Sequence, residues 1–376
     1  MHSKLKGYLD QLNSKAEWTS LRFVEDETRT LFARDEKLRP TFHSKTSGIM
    51  VEVLVDGQFS YAGTCDVSLE GVQAAYQKAM SMAEIAKNWQ LIPFSQDQRP
   101  QAIGSYSSPS KISFDTMGIA ELSSLLIDCT KTMKKSDSIL SRHAYATHSI
   151  TRTHFVSSNG SDFQQTISQN LLNLEVTAEN NGQVQSRSSG SEVSQMGYEF
   201  FDRNLMMEQA NNISEQVLEL LQAENCPSDT REVILAPSQL YLQIHESIGH
   251  PLELDRILGD ERNYAGWSFV NLEDFGKLQY GSSKLNVTFD PTIETELASY
   301  MFDDTGAKAE KQYLIKDGVL LRGLGSLESQ LRSKVPGVAC ARATSWNRPP
   351  LDRMANLNIE PGESSLEDMI ASVERG

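Results

Sequence analysis

Ile244-His245-Glu246-Ser247-Ile248-Gly249-His250-Pro251 is the stretch on which the reading of this chain turns. Two imidazoles bracket a carboxylate and a glycine, a set of side chains able to hold a divalent metal ion beside a proton acceptor. In a helical H-E-x-x-H pattern the histidines are four residues apart, about 40° around the helix, and both reach one ion. Here His250 is five residues beyond His245, which on a regular α-helix leaves the rings roughly 140° apart. The sequence therefore predicts a one-residue π-bulge. Gly249 is expected to tolerate the backbone departure, and Pro251 to end the hydrogen-bond ladder and push His250 out of the α region.

Working outward, Glu232 to Ala236 reads as a short buried strand, Pro237 breaks it, and Ser238 is the expected N-cap of the next helix. Leu240, Ile244 and Ile248 give that helix one apolar face. Glu246 is offset from the first histidine, so it is free to act as a general base toward water.

The segment from His245 to Asp255, His-Glu-Ser-Ile-Gly-His-Pro-Leu-Glu-Leu-Asp, resembles the H-E-x-x-G-H-x-x-E-x-D signature of the TldD/PmbA metallopeptidases. Three later landmarks follow in order. Phe302 to Gly306 resembles an aspartate pair, Leu314 to Leu320 a hairpin, and Arg353 to Gly362 an R-M-x-N-x-x-x-x-P-G turn. Residues Gly48 to Lys87 also resemble the family's N-terminal strands and helix.

The resemblance implies a cytoplasmic zinc peptidase of the TldD type, since PmbA-type subunits lack the H-E-x-x-x-H residues. Carried over by position, His245 and His250 are metal ligands to Zn2+ and Glu246 is the catalytic acid/base. The family's third ligand is a cysteine in a stretch beyond the R-M-x-N turn, and the sequence read here ends at Gly376, so a truncated chain is expected. Cys340 is the nearest downstream thiol but does not stand in the family's cysteine motif. Glu253 and Asp255 are candidates to support the imidazoles from behind. The resemblance also implies a peptide substrate, small, unfolded or leader-like, and a homodimer or a heterodimer with a PmbA-like subunit. The alternative is a non-catalytic binding subunit of such a complex, because a catalytic zinc normally has three protein ligands.

Composition fits this reading. With 376 residues and 39% hydrophobic content, two domains with substantial cores are expected. A formal net charge of −15 repels a phosphate backbone, which argues against nucleic acid as a partner. No apolar run approaches the roughly 18 residues of a membrane span. The four cysteines show no C-x-x-C pairing, and the N-terminus has no signal-type hydrophobic region.

Along the chain, Leu5 to Leu12 is a predicted helix, Asp56-Gly57 a hairpin turn, and Ser68 the cap of a helix that includes Leu69, Val72, Tyr76, Ala79 and Ala83. Phe94 to Ser110 is a predicted loop, and Ile119 to Met133 a helix. From His143 to Val193 a β-meander is expected, with turns at Ser158-Asn159-Gly160 and Asn180-Asn181-Gly182. A helix from Asn204 to Asn225 is expected to turn Leu205, Ile213, Val217 and Leu220 inward. Ser364 and Glu367 read as a capping box before an apolar stripe of Leu366, Met369, Ile370 and Val373. The fold class is α+β: residues 1–226 form a strand-and-helix domain with a β-meander, and residues 227–376 a mixed α+β metal-site domain, incomplete at its C-terminus.

Overall fold

The computed structural model describes residues 1–376 apart from Asn13, Ser14, Met117 and Ala265, and apart from the side chains of His2 and Asp115. The fold is α+β. Helix α1 (His2–Gln11) precedes strands β1 (Trp18–Arg34), β2 (Lys37–Leu38), β3 (Phe42–Val55) and β4 (Gln58–Thr64). Then come α2 (Leu69–Ala86), β5 (Ile103–Ser107), α3 (Ile119–Thr132), β6 (Ile139–Ser157), β7 (Asp162–Asn180), β8 (Gln183–Ser188), β9 (Glu192–Ser194) and α4 (Arg203–Leu220). These nine strands form one sheet, in the order β4-β3-β1-β6-β7-β5, with β2 on β1 and both β8 and β9 on β7.

Turn chemistry sets the ladder. Asp56 and Gly57 both have positive φ, at 48° and 75°, as the two-residue turn between β3 and β4 requires. Asn181 and Gly182 repeat this between β7 and β8, at 52° and 81°. Strand alternation then sorts the side chains. Leu21, Phe23, Leu31 and Ala33 of β1 share a face with Ala144 and Ala146 of β6 and Leu172, Leu174 and Val176 of β7, and the four helices cover that face. Ser68 caps α2 by accepting from the Gly71 amide, as its sequence implies.

The opposite face of the sheet receives the rest of the chain. It comprises α5 (Pro237–Ile244), α6 (Leu254–Leu258), β10 (Val287–Phe289), β11 (Gln312–Lys316), β12 (Val319–Leu320), α7 (Leu327–Ser333), β13 (Ala341–Arg342), β14 (Leu351–Asp352), β15 (Leu357–Ile359) and α8 (Leu366–Ser372). A small sheet, β12-β11-β10-β15, carries the core of this half, which joins Leu252, Val287, Phe289, Leu314 and Leu324 to Ile248 of the metal-site turn. Trp18, Phe155 and Phe163 from the large sheet pack with Phe302 across the junction. Arg22 of β1 pairs with Asp304 at 2.6 Å, so one residue of the aspartate pair ties the halves together. Among the described residues, no helix is long and apolar enough to cross a membrane.

Several expectations are corrected. The predicted loop from Phe94 to Ser110 contains β5, which lies parallel to β7. Glu232 to Ala236 is not a strand, because no neighbouring strand pairs with it and Val233 is 73% exposed. Helix α4 turns Met206, Ala210, Ile213 and Val217 inward, while Leu205 is 60% exposed and Leu220 is also exposed. Asp202 caps the helix, its side chain accepting from the Leu205 amide. The last capping box is Ser365 with Asp368, one position later than read, and Leu366, Met369 and Ile370 of α8 are exposed.

Arg99 is a second tie between the halves. It is 1% exposed, donates from Nε and Nη2 to Glu52 at 2.8 and 2.5 Å, and is also bonded to Glu328 of α7. Its guanidinium lies 4.0 Å from the centroid of Phe59. Losing a partner from such a buried pair leaves an uncompensated charge, which typically costs about 3–5 kcal/mol. Arg99→Ala is expected to destabilise the chain by that order in urea denaturation, and adding Glu52→Gln is expected to recover part of the loss. An Arg99→Ala chain as stable as the parent would show that the tie contributes nothing.

Candidate metal centre

Helix α5 begins at Pro237, with Ala236 as N-cap rather than Ser238, so proline takes the first helical position where its missing N–H costs nothing. From His245 to Gly249 the chain winds as a π-helix, and the His250 amide donates to the His245 carbonyl five residues back. The extra residue is absorbed in this wider turn. As a result the two Nε2 atoms lie 3.0 Å apart, with the rings at 88° to each other. Two nitrogens that are each about 2.0–2.1 Å from one ion stand roughly 3 Å apart, so the spacing suits a shared metal. A Glu246 carboxylate oxygen completes a group whose ligand atoms all lie within 4.8 Å of one another.

The reasons for Gly249 and Pro251 differ from those the sequence suggested. Gly249 has φ −58° and ψ −71°, close to ordinary helix. What excludes a side chain there is Met354: a Cβ on residue 249 would overlap the Met354 sulfur and come within 3.2 Å of Leu357. The R-M-x-N turn is thus packed against the back of the metal turn. His250 also stays in the α region, at φ −58° and ψ −41°, and the chain leaves the helical region only at Glu253. Pro251 leaves the Ser247 carbonyl without its helical donor, and the Tyr280 hydroxyl supplies one at 2.5 Å. That replacement lets the helical path run past a proline.

Of the two supporting carboxylates, only Glu253 touches a histidine. Its Oε2 lies 2.9 Å from His250 Nδ1 and accepts from Arg256 Nε and Nη2 at 3.2 and 3.1 Å. An N–H at Nδ1 directed at Glu253 leaves Nε2 with its lone pair facing His245. Arg256 Nη2 is also 3.0 Å from Nδ1, and since arginine only donates, that contact competes with the tautomer metal binding requires. The Leu254 amide donates to the Leu324 carbonyl and the Leu324 amide to the Leu252 carbonyl, two bonds that flank Glu253 and hold it in place. Asp255 makes no hydrogen bond to either imidazole. It accepts from the Arg256 amide and is buried near Asp352, and burial with the charges of Asp352 and Glu253 pushes its carboxyl up to about 7. Cys340 is fully buried, 4.0 Å from Asp352, and outside the histidine group. Met354, Tyr280 and Arg256 are the contributors that the motif did not reveal. Of these only Arg256, three residues beyond Glu253, left a signal in the spacing.

Three sequence models of one family match the chain: PmbA/TldA metallopeptidase domain 1 over residues 19–83, the central domain over 112–221 and the C-terminal domain over 228–376. A metalloprotease of Methanocaldococcus jannaschii is 26% identical over 98% of this chain and 79% of its own length. A metalloprotease TldD homolog of Haemophilus influenzae is 29% identical over 54% of this chain and 42% of its own length. A zinc metalloprotease TldD homolog of Saccharolobus solfataricus is 26% identical over 48% of this chain and 39% of its own. Among solved structures, a protein described as a modulator of DNA gyrase from Bacteroides thetaiotaomicron aligns with a TM-score of 0.77 at 13% identity, over 100% of this chain and 80% of its own. TldE from Thermococcus kodakarensis aligns with a TM-score of 0.67 at 17% identity, over 100% of this chain and 80% of its own. At these identities the two structures show the fold.

Overpacking at the Gly249–Met354 contact is expected to cost about 1–3 kcal/mol in Gly249→Ala. Met354→Ala in the same chain should recover part of this in a double-mutant cycle, and additive effects would show that the two residues do not meet. For Asp255 the folded pKa lies above the ordinary value, so the native state holds a proton that the unfolded chain has lost. Its contribution is complete below about pH 4 and disappears as pH rises through about 7, with an upper bound of about 4 kcal/mol. Asp255→Asn is therefore expected to raise the melting temperature relative to the parent at pH 8 and to lose that advantage by pH 4. An equal difference at both pH values would refute the buried-proton reading.

Proposed function

The chain belongs to the PmbA/TldA metallopeptidase family, the TldD/PmbA family of the sequence resemblance, and we propose that it is a zinc-dependent peptidase of the TldD type. The observation that supports this most directly is the 3.0 Å approach of His245 Nε2 and His250 Nε2 beside Glu246. In this reading His245 and His250 hold the ion, Glu253 fixes the orientation of His250, and Asp255 does not touch the imidazoles. When bound, zinc supplies Lewis acidity to a peptide carbonyl and to water. Glu246, exposed beside the imidazoles, takes the proton from the attacking water and returns it to the departing amine nitrogen. The name of the Saccharolobus relative supports zinc as the metal, and the names of the relatives support a peptide substrate.

The proposal includes a division into residues 1–226 and 227–376, a cytoplasmic address, unfolded or leader-like peptides as substrates, and a dimer with itself or with a PmbA-like subunit. A specific observation favours a second reading. Among the described residues only His245, Glu246 and His250 bring ligand atoms together at the turn; with Glu246 kept as the base two protein ligands remain, whereas a catalytic zinc normally has three and an open position. The second reading is a non-catalytic subunit.

Glu246→Gln separates binding from chemistry. The variant is expected to keep the parent's zinc content by elemental analysis while hydrolysis of an unstructured peptide falls by about 10²- to 10⁴-fold. Undiminished hydrolysis would remove Glu246 from its role, and a parent chain that neither holds zinc nor cleaves peptide would favour the non-catalytic reading.

A further inference from the structure

The face of the large sheet opposite its helices does not close completely against the C-terminal half. A cavity of about 320 Å³ remains between them, walled by β1, β6 and β7 on one side and by the segments 297–304 and 342–345 with Arg353 on the other. Three arginines and three aspartates line it, so its wall is formally neutral, and the hydrogen bonds are unevenly shared. Asp303 is saturated: its Oδ1 accepts from the Thr305 amide, the Thr305 hydroxyl and the Ala307 amide, and its Oδ2 from the Ala341 amide. Asp304 is taken by Arg22 and the Ala343 amide, and Asp26 accepts from the Thr151 hydroxyl. Burial and the nearby Asp304 charge also push the Asp26 carboxyl upward, toward the neutral form.

The cations are less well matched. Arg342 donates to the Met354 carbonyl, lies 5.7 Å from the Tyr300 ring centroid, and has a buried Nε without a hydrogen-bond partner. Arg353 donates from Nη1 to the Asp352 carbonyl. Among the described residues neither guanidinium has a carboxylate within ion-pair distance. A buried guanidinium N–H without an acceptor is costly, and the planar donor fork of arginine matches a carboxylate. The neutral wall suits a single negative charge better than a phosphate dianion. Two contacts link its walls to the metal turn: Ile167, which lines the cavity, packs on the apolar cluster that includes Ile248, and Met354, next to Arg353 in sequence, packs against Gly249.

We propose that this cavity is a carboxylate-binding site in which Arg342 and Arg353 hold the C-terminal carboxylate of a peptide. The choice of a peptide rests on the peptidase reading; the preference for a carboxylate rests on the donors and charges of the cavity alone. Arg342 and Arg353 are thus residues of substrate recognition, separate from the histidines that would hold the metal.

The test is a calorimetric titration of the full chain carrying Glu246→Gln, so that binding is read without turnover. N-acetyl-trialanine is compared as free acid and as C-terminal amide, alongside an amide peptide with an internal glutamate and inorganic phosphate. The free acid is expected to bind at least about tenfold more tightly than the amide. Arg342→Gln and Arg353→Gln are expected to bring the acid down to the amide's level while zinc content is unchanged. Equal binding of acid and amide overturns the proposal without recourse to any variant, as does an acid preference that survives in both folded variants. Tighter binding of phosphate or of the internal glutamate overturns the assignment to a peptide terminus. An acid preference in a chain whose parent cleaves no peptide would sink the peptidase reading and leave the carboxylate site standing, whereas cleavage without acid preference does the reverse.

Discussion

An imidazole pair spaced five residues apart meets only if the backbone makes a wider turn, and that single constraint organises the C-terminal half of the molecule. A π turn is rare, and this one is supported from outside. Met354 packs into the space left by Gly249, the Tyr280 hydroxyl satisfies the carbonyl that Pro251 leaves without a donor, and the exchange of bonds between residues 252–254 and Leu324 anchors the exit. These supports come from segments far apart in sequence. The motif supplies the ligands, and distant residues keep its irregular geometry in place.

The same logic joins the two halves. Arg22 and Arg99 are buried cations on or against the large sheet, and their carboxylate partners Asp304 and Glu328 belong to the C-terminal half. Buried pairs of this kind add less to stability than their number suggests, because desolvation offsets much of the attraction. Their directional demands do fix how the halves are seated. Gln165 adds to this by accepting from the Met301 and Phe302 amides and donating to the Phe302 carbonyl.

Local chemistry was legible in the sequence wherever it was self-contained. Asp56-Gly57 and Asn181-Gly182 announced turns because two adjacent left-handed residues suit few other side chains. The π turn followed from counting residues between His245 and His250, and Glu253 from its spacing to His250. Features that depend on a partner were not readable in this way. Glu232 to Ala236 has strand-like composition but no neighbouring strand to complete a ladder. Gly249 looked like a hinge and is a contact surface for Met354. Asp255, two residues beyond Glu253, turns away from the imidazoles toward Asp352 because α6 rotates it there. Leu205 and Leu220 fall off the stripe set by Met206, Ala210, Ile213 and Val217: Leu205 is one residue from Met206 and so about 100° around the helix, and Leu220 lies in the last turn at the edge of the buried face.

The pairing of β1 with β6 has a temporal consequence. Pairs along this ladder join residues separated by 109 positions at one end, Arg34 with His143, and 137 at the other, Ser20 with Ser157. At ribosomal rates of roughly 10 residues per second, β1 waits on the order of ten seconds before β6 is synthesised. Meanwhile its hairpin with β3 and β4, backed by α2, can close early from neighbouring residues, which leaves the other edge of β1 bare. Glu25, Asp26, Glu27 and Arg29 stand along that edge, and charges there discourage a nascent chain from pairing with strands of its neighbours. Charges in the half-buried middle of a central strand thus disfavour mispairing before β6 is made, and the long loop that separates β1 from β6 makes their ladder an entropically costly one to close.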